Sequence, residues 1–290
     1  MIKKNLLLLF LSVVFFANAQ NVRHVETIND GWRFYKGEIE KPFSNNITLQ
    51  WEKVTLPHSW NTQDILDDED GYYRGEGWYK KTMKIPQVYE NQQVFLLFEG
   101  ANQVTSLFVN GKAVSEDHIG GYTSFARNIT AAIKQGDNEI TIKVDNAHND
   151  EIVPQSADFS FYGGIYRDIQ LIITKSIHFE VANLGANAVF ITTPEVNEKS
   201  ATISVKSKLV RPKKGTFYVK QSLFDAKNNL VSELEAKSKF WKDNFIEFTI
   251  DKPNLWSPEA PYLYKLVSEI VDKKGTIYDR VENPLGFRWF

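Results

Sequence analysis

Carboxylates are the most numerous side chains in this sequence that could carry chemistry, with 36 aspartates and glutamates among 290 residues. The densest group is the run Asp67-Asp68-Glu69-Asp70. Acid–base catalysis by two carboxyl groups needs one of them desolvated, so that its pKa rises while the other stays ionised. Neighbours on one polar loop do not create that difference, so the run is interpreted first as a solvated acidic loop. A calcium site is the second interpretation, because hard cations bind about 6–8 oxygen ligands, although the spacing matches no known calcium loop.

The other residue types that support catalysis or metal binding show no matching spacing. The five histidines include no pair with the H-x3-H spacing of a zinc site. No G-x-S-x-G segment is present, which argues against a serine nucleophile on a sharp turn. The absence of cysteine excludes thiolate nucleophiles and thiolate metal sites. His58 is therefore interpreted as a packed or hydrogen-bonded residue.

The first residues have the three parts of a secretory signal peptide. Lys3 and Lys4 form a basic start, residues 6–16 are apolar except for one serine, and Ala17-Asn18-Ala19 fits a cleavage site before Gln20. The apolar run is shorter than the ~20 residues of a transmembrane helix, so no membrane anchor is expected. The sequence thus predicts a signal peptide over 1–19 and export to the periplasm or the cell exterior. A chain without cysteine can be exported without any disulfide framework.

The hydrophobic pattern of the remaining chain is that of short β-strands. Residues 139–144 and 201–209 alternate strictly between apolar and polar side chains, as half-buried strands do. Asn110-Gly111 between two apolar runs predicts a two-residue hairpin turn. Helical periodicity is weak everywhere. Many short strands with regular turn signals predict an all-β protein of two sandwiches, with a boundary near 175–178 and an immunoglobulin-like module after it.

A series of short motifs resembles the sequences of glycoside hydrolase family 2. In the order in which the family carries them, they are DGWRF at 30–34, LPHSWN at 56–61, GWYK at 77–80, FVNG at 108–111, GGYTSF at 120–125, VDN at 144–146, GIYRD at 164–168, LWSPE at 255–259 and GFR at 286–288. Each motif alone is weak evidence. Their common order over almost the whole chain makes the resemblance strong.

The resemblance implies a jelly-roll sugar-binding domain over 20–176 and an immunoglobulin-like β-sandwich over 177–290. In the family, a (β/α)8 barrel follows the GFR motif and carries the two glutamates of a retaining mechanism. Those glutamates are not expected in this chain, so it should have no catalytic residue of its own and should be inactive alone. The barrel and a carbohydrate substrate are its expected partners, and a homo-oligomer is an open alternative. A net charge of −2 gives no sign of nucleic-acid binding.

Two residues are implied as parts of the substrate site. Asp158 stands six residues before Gly164. In the family's β-galactosidases, an aspartate at this spacing reaches the barrel's active site and holds the sugar and, in some members, a sodium ion. A carboxylate suits both tasks, because it accepts hydrogen bonds from hydroxyls and ligates hard cations. The alternative is a loop aspartate that caps its own turn. Asn61 lies in a loop that borders the family's pocket, and its alternative is a turn residue.

Terminal β-galactosides or related β-glycosides are the expected substrates of the parent enzyme, with no required cofactor and a sodium or calcium ion as an option. Asp158 and the GGYTSF turn favour a galactosidase over the glucuronidase and mannosidase members that share this front end. Tyr72, Tyr73 and Tyr122, in predicted loops, are candidates for stacking on sugar. A stand-alone carbohydrate-binding β-sandwich protein and a structural adaptor are the competing hypotheses. A reading frame that continues beyond residue 290 into alternating strands and helices would favour the enzyme.

Overall fold

The computed structural model describes residues 22–40, 42–43, 49–62, 64, 71–85, 91–182, 185–239 and 243–289. The predicted signal peptide at 1–19 and the acidic run at 67–70 lie outside the described residues. Every regular element in the described part of the chain is a β-strand, which confirms the predicted all-β class. Within that part, no helix is long and apolar enough to cross a membrane.

Thirteen strands build the N-terminal sandwich. They are β1 Arg23–Thr27, β2 Trp32–Lys36, β3 Glu52–Val54, β4 His58–Ser59, β5 Glu76–Ile85, β6 Gln92–Phe98, β7 Val104–Val109, β8 Lys112–Ala113, β9 His118–Ile119, β10 Phe125–Asn128, β11 Gly136–Asp145, β12 Gly164–Ile165 and β13 Ile169–Lys175. A seven-stranded sheet has the order β3-β2-β5-β11-β7-β8, with β9 also paired to β7, and a four-stranded sheet has the order β1-β13-β6-β10. β4 and β12 form a separate pair. Two antiparallel sheets with such non-sequential strand orders form the expected jelly roll.

The core of this sandwich lies between its two sheets. On β11, Ile140, Ile142 and Val144 are fully buried, as the alternation over 139–144 predicted. They belong to one hydrophobic cluster with Phe98 and Leu171 of the four-stranded sheet. Burial of each large apolar side chain contributes roughly 1.5–3 kcal/mol. This cluster therefore holds the sheets face to face and fixes which side of each strand points outward.

The turn between β7 and β8 also follows from the sequence. Asn110 has a φ of 51° and Gly111 a φ of 76°, and β8 pairs back onto β7. Positive φ at both central residues is what a type I′ turn requires, so the predicted hairpin is confirmed.

Nine further strands build the C-terminal sandwich. They are β14 His178–Phe179, β15 Val189–Val196, β16 Ser200–Ser207, β17 Leu209–Val210, β18 Phe217–Phe224, β19 Leu230–Lys237, β20 Asn244–Asp251, β21 Tyr264–Asp272 and β22 Ile277–Leu285. One sheet has the order β15-β16-β20 and the other β19-β18-β21-β22, while β14 pairs with β17. Ile203, Leu223 and Ile270 are fully buried between the sheets with Phe179 and Phe287. This is the expected immunoglobulin-like arrangement.

A buried ion pair links the two sandwiches. Arg23 on β1 contacts Asp279 on β22, with Nη2 2.6 Å from Oδ2 and Nε 2.9 Å from Oδ1. Asp279 Oδ2 also accepts the Phe179 N–H at 2.7 Å, and its side chain is fully buried. A bidentate arginine–carboxylate pair fixes orientation as well as distance. The first strand in the described part of the chain is thereby tied to the last one.

Candidate functional site

Asp158 lies on the long connection between β11 and β12. Its side chain is exposed, and it lines an open cavity of about 450 Å³. The other lining residues are Tyr72, Arg74, Gln155, Ser156, Ala157, Phe159, Ser160 and Phe161. Asp158 makes no hydrogen bond or ion pair with any residue in the described part of the chain. The turn-cap alternative therefore finds no support in the geometry, and the carboxylate is accessible to a ligand.

The segment that follows Asp158 is held by buried asparagine amides from separate loops. Asn146 Nδ2 donates to the Phe161 carbonyl at 2.8 Å, and Asn102 Nδ2 donates to the Tyr162 carbonyl at 2.7 Å. The side chain of Asn61 accepts the Gly163 N–H at 2.7 Å. All three asparagines are at most 4% exposed. These hydrogen bonds hold the backbone of the segment in one place. Breaking one of them would leave a buried polar group without a partner, which costs free energy.

Two glycines allow the chain to pass through this clamp. A Cβ at Gly163 would lie 2.0 Å from Cζ2 of Trp60, and a Cβ at Gly164 would lie 2.4 Å from the carbonyl oxygen of His58. Gly164 also has a φ of 126°, which L side chains rarely adopt. The backbone therefore approaches the Trp60 ring and β4 more closely than any other residue type would permit.

Both polar side-chain atoms of Asn61 have partners within the protein. Its Nδ2 donates to Asp64 at 2.9 Å and to the Tyr73 carbonyl at 2.8 Å, while its oxygen is occupied by Gly163. The side chain is fully buried. The geometry gives Asn61 a positioning role in the segment behind Asp158. The predicted direct contact between Asn61 and a sugar stays a prediction.

The aromatic candidates differ in their surroundings. Tyr72 accepts the Phe161 N–H at 2.9 Å through its hydroxyl oxygen and packs edge-on against Tyr162 at 6.5 Å between ring centroids. Tyr73 donates its hydroxyl to the Glu76 carbonyl at 3.0 Å, and burial raises its pKa. Tyr122 is 57% exposed. Tyr162 is 38% exposed. Tyr122 and Tyr162 are thus open to stacking, whereas Tyr73 belongs to the scaffold.

Arg74 adds a positive charge to the Asp158 cavity. Its Nε donates to the Asn146 carbonyl at 2.9 Å, and the guanidinium carbon lies 5.1 Å from the centre of the Phe161 ring. These two contacts hold the Arg74 guanidinium beside the cavity that Asp158 also lines. The sequence reasoning missed Arg74, Asn102 and Asn146. A signal for the last was available, because a polar amide at the end of a core strand must satisfy its hydrogen bonds somewhere.

His58 and the metal prediction have separate outcomes. His58 Nδ1 lies 2.9 Å from the Tyr79 hydroxyl, and burial lowers the pKa of the imidazole, which keeps it neutral. This agrees with the packed, hydrogen-bonded interpretation. No group of three or more His, Asp or Glu side chains in the described ranges converges on one point. A sodium or calcium ion at Asp158 therefore stays a prediction.

Comparison with known proteins assigns both sandwiches to one family. The model for the sugar-binding domain of glycosyl hydrolases family 2 matches residues 46–175, and a second model of glycosyl hydrolases family 2 matches residues 187–288. The chain belongs to glycoside hydrolase family 2. The predicted resemblance is confirmed.

Individual relatives in this family extend the match over nearly the whole chain. A protein named as a candidate β-glucuronidase in Formosa agariphila is 36% identical over 93% of this chain and 32% of its own length. A β-glucuronidase of Bacteroides fragilis is 32% identical over 98% of this chain and 40% of its own length. A β-galactosidase of Bacteroides ovatus is 28% identical over 92% of this chain. The crystal structure of a Bacteroides uniformis β-glucuronidase covers 92% of this chain with a TM-score of 0.82 and 34% identity, and 32% of that structure is matched. The chain thus spans about a third of the length of these family 2 members.

Proposed function

We propose that this chain is the N-terminal part of an exported, retaining glycoside hydrolase that removes terminal β-linked sugars, with β-glucuronides as its substrate class. The observation that carries the proposal is the similarity of almost the entire chain to β-glucuronidases at 36% and 32% identity. The cation of Arg74 in the Asp158 cavity supports the same choice, because a guanidinium suits the carboxylate of a uronic acid. β-Galactosides, the substrates expected from the sequence, are the second candidate, supported by β-galactosidases at 28% identity.

In this proposal the chain supplies part of the sugar pocket, and a catalytic barrel beyond it supplies the acid/base and nucleophile glutamates. Asp158, exposed on a loop whose far end is clamped, would accept hydrogen bonds from hydroxyls of the sugar. Clamping matters because a group that binds the transition state must be held in place before the sugar arrives. The described chain alone is expected to show no turnover of chromogenic β-glycosides.

Exposed aromatic side chains beside Asp158 support a partner surface there. Phe159 is 55% exposed and Tyr162 is 38% exposed. Tyr122 lies on a neighbouring turn, where Gly121 packs closely against the Asn102 side chain that binds the Tyr162 carbonyl. A cluster of large apolar side chains in water favours association. We assign this surface to contact with the catalytic barrel of the same polypeptide.

The test is Asp158→Asn in the full-length protein. The substitution keeps the shape and removes the charge, so we expect kcat/KM on a chromogenic β-glucuronide to fall roughly 10- to 100-fold, since charge-assisted hydrogen bonds contribute about 1.5–3 kcal/mol. The melting temperature should stay at the wild-type value, because Asp158 has no partner among the described residues.

Asp150→Asn is the matched control, since Asp150 is an exposed aspartate of the same loop. Its carboxylate bonds His148 Nε2 at 2.8 Å and has no other partner among the described residues. The Asp150 carbonyl, which accepts a hydrogen bond from Gln155, is not changed by the substitution. It should leave kcat/KM unchanged. Unchanged kcat/KM in Asp158→Asn would remove Asp158 from the site. A full-length enzyme that prefers β-galactosides to β-glucuronides would replace the first substrate class by the second.

A further inference from the structure

Three cations stand side by side on the outer face of the seven-stranded sheet. In the strand register, Lys53 on β3 lies opposite Arg33 on β2, and Arg33 lies opposite Lys80 on β5. The neighbouring residues Trp32, Phe34 and Tyr79 are buried in the core, so the three cations share the opposite face. We call Lys53, Arg33 and Lys80 the cationic row.

This row carries little compensating charge. Like charges directly opposite one another in a sheet destabilise it. Lys80 Nζ lies 3.7 Å from Glu139 Oε1 and donates to the Pro42 carbonyl at 3.3 Å. The side chains of Arg33 and Lys53 form no hydrogen bond or ion pair with the residues that the structure describes. A sheet that keeps three cations in register breaks a local rule of stability. Such violations are expected where a surface has a binding role.

Two hollows open on either side of Arg33. The first, of about 230 Å³, is lined by Gly31, Arg33, Trp51, Lys80, Lys81, Thr82 and Glu139. The second, of about 470 Å³, is lined by Gly31, Trp32, Arg33, Lys53, Val54 and Thr55. Gly31 and Arg33 line both hollows, which therefore adjoin one another, and together they are called the depression. It has no residue in common with the Asp158 cavity.

We propose that this depression binds an anionic saccharide, a glycan that carries carboxylate or sulfate groups. Arg33 presents a planar fork of donors that fits either group, and Lys53 and Lys80 add charge on both sides. Trp51 supplies an apolar wall, with the Lys80 ammonium 5.3 Å from its ring centre. Thr82 and Glu139 offer polar groups to sugar hydroxyls.

A glycan is favoured over other polyanions by the composition of the depression and by the family. The match to the family's sugar-binding domain, over 46–175, includes Trp51, Lys53, Lys80, Thr82 and Glu139. A net charge of −2 gives no sign of nucleic-acid binding, and an oligonucleotide is included in the test below. The site rests on membership of the family and not on the proposed substrate or on Asp158.

The experiment is calorimetric titration of the purified chain with three oligosaccharides of equal length: an oligoglucuronate, a sulfated galactan free of uronate, and a neutral cello-oligosaccharide. We expect binding of at least one anionic probe, weakened by added NaCl, and none of the neutral probe. Which anionic probe binds more tightly identifies carboxylate or sulfate as the preferred group. Because no turnover is measured, the result is independent of the catalytic proposal.

Arg33→Ala should weaken the binding roughly 10-fold or more, since it removes a charge-assisted contact. Arg33→Lys, which keeps the charge and loses the fork, should fall between wild type and Arg33→Ala. Lys84→Ala is the matched control. Lys84 is exposed on the same strand and face, two positions beyond Thr82, and lines neither hollow.

Three results would overturn the proposal. They are the absence of binding for both anionic probes, an equal loss of affinity in Lys84→Ala and Arg33→Ala, and equally tight binding of a single-stranded oligonucleotide. The last would make the row a general polyanion surface. Circular dichroism of each variant checks that the sandwich is intact.

Discussion

The cationic row has a counterpart on the second sandwich that is built in the opposite way. There, Glu235 on β19, Lys220 on β18, Glu269 on β21 and Arg280 on β22 lie opposite one another in register, so the charges alternate in sign. Lys220 contacts Glu269 at 2.8 Å, and Arg280 contacts it at 3.3 Å. We call these four residues the alternating row. Both rows cross the outer face of a sheet, yet only one is neutralised by its own neighbours.

The two rows differ in what stabilises the charges on the outer face of each sheet. Glu269 is only 4% exposed, so its charge is stabilised by the two cations beside it rather than by water. In the cationic row the central residue, Arg33, is exposed, and its side chain has no acidic partner among the described residues. The charges of the alternating row are paired with one another within the sheet. The charge of Arg33 in the cationic row remains available to a ligand.

The largest effect is expected from Glu269→Lys, which gives the alternating row three adjacent cations. Loss of a buried carboxylate between two cations should lower the free energy of unfolding by about 3 kcal/mol. This is the low end for a buried pair, because the side chains of Lys220 and Arg280 are 27% and 43% exposed. Urea unfolding measures it. Glu235→Lys, at the exposed end of the row, is the control and should change stability by less than about 0.5 kcal/mol. Equal effects of the two variants would show that position in the row is irrelevant.

A smaller effect of opposite sign is expected from Arg33→Glu. This change gives the cationic row alternating charges, and removal of two like-charge neighbours should raise the free energy of unfolding by about 0.5–1 kcal/mol at low salt. The gain should shrink in 0.5 M NaCl, because exposed charges are screened. Thermal unfolding at both salt concentrations provides the measurement, with Arg33→Gln as the uncharged intermediate. A loss of stability in Arg33→Glu would mean that Arg33 has a structural role in the sheet.

The smallest effect concerns two lysines whose pKa values are shifted in opposite directions. Burial lowers the pKa of Lys81, which lines the first hollow, while the hydrogen bond that Lys220 donates to the Glu269 carboxylate raises the pKa of Lys220. For Lys81 the unfolded chain holds the proton more tightly, so stability rises with pH between its folded pKa and 10.5. For Lys220 the folded chain holds it more tightly, so its contribution is fully present below 10.5 and is lost as pH rises through the folded pKa.

Titration of the lysine side-chain carbons by NMR checks both directions. Lys81→Met and Lys220→Met assign the two signals and provide the controls for stability against pH. If the pKa values of Lys81 and Lys220 were both above 10.5, or both below it, the expected opposite shifts would be contradicted.

The local features of the fold could be predicted from the sequence. The alternation over 139–144 predicted which side chains of β11 face the core, and Asn110-Gly111 predicted the turn after β7. Asp158 is exposed, and its part in a sugar site stays a prediction. The buried, fully hydrogen-bonded state of Asn61 could not be anticipated, because its partners Asp64, Tyr73 and Gly163 come from separate parts of the chain.

The sequence by itself determined the class of the protein, its motifs and the inward or outward direction of the strand residues, because periodicity and turn chemistry act over a few residues. Only the tertiary structure decided which distant residues meet. Pairing of β2 with β3 and β5 set Arg33 between two lysines, and the clamp brought amides from three loops to the segment behind Asp158. Local patterns set the register of a tight hairpin, but the pairing of strands that are distant in sequence and the convergence of loops depend on the packing of whole sheets.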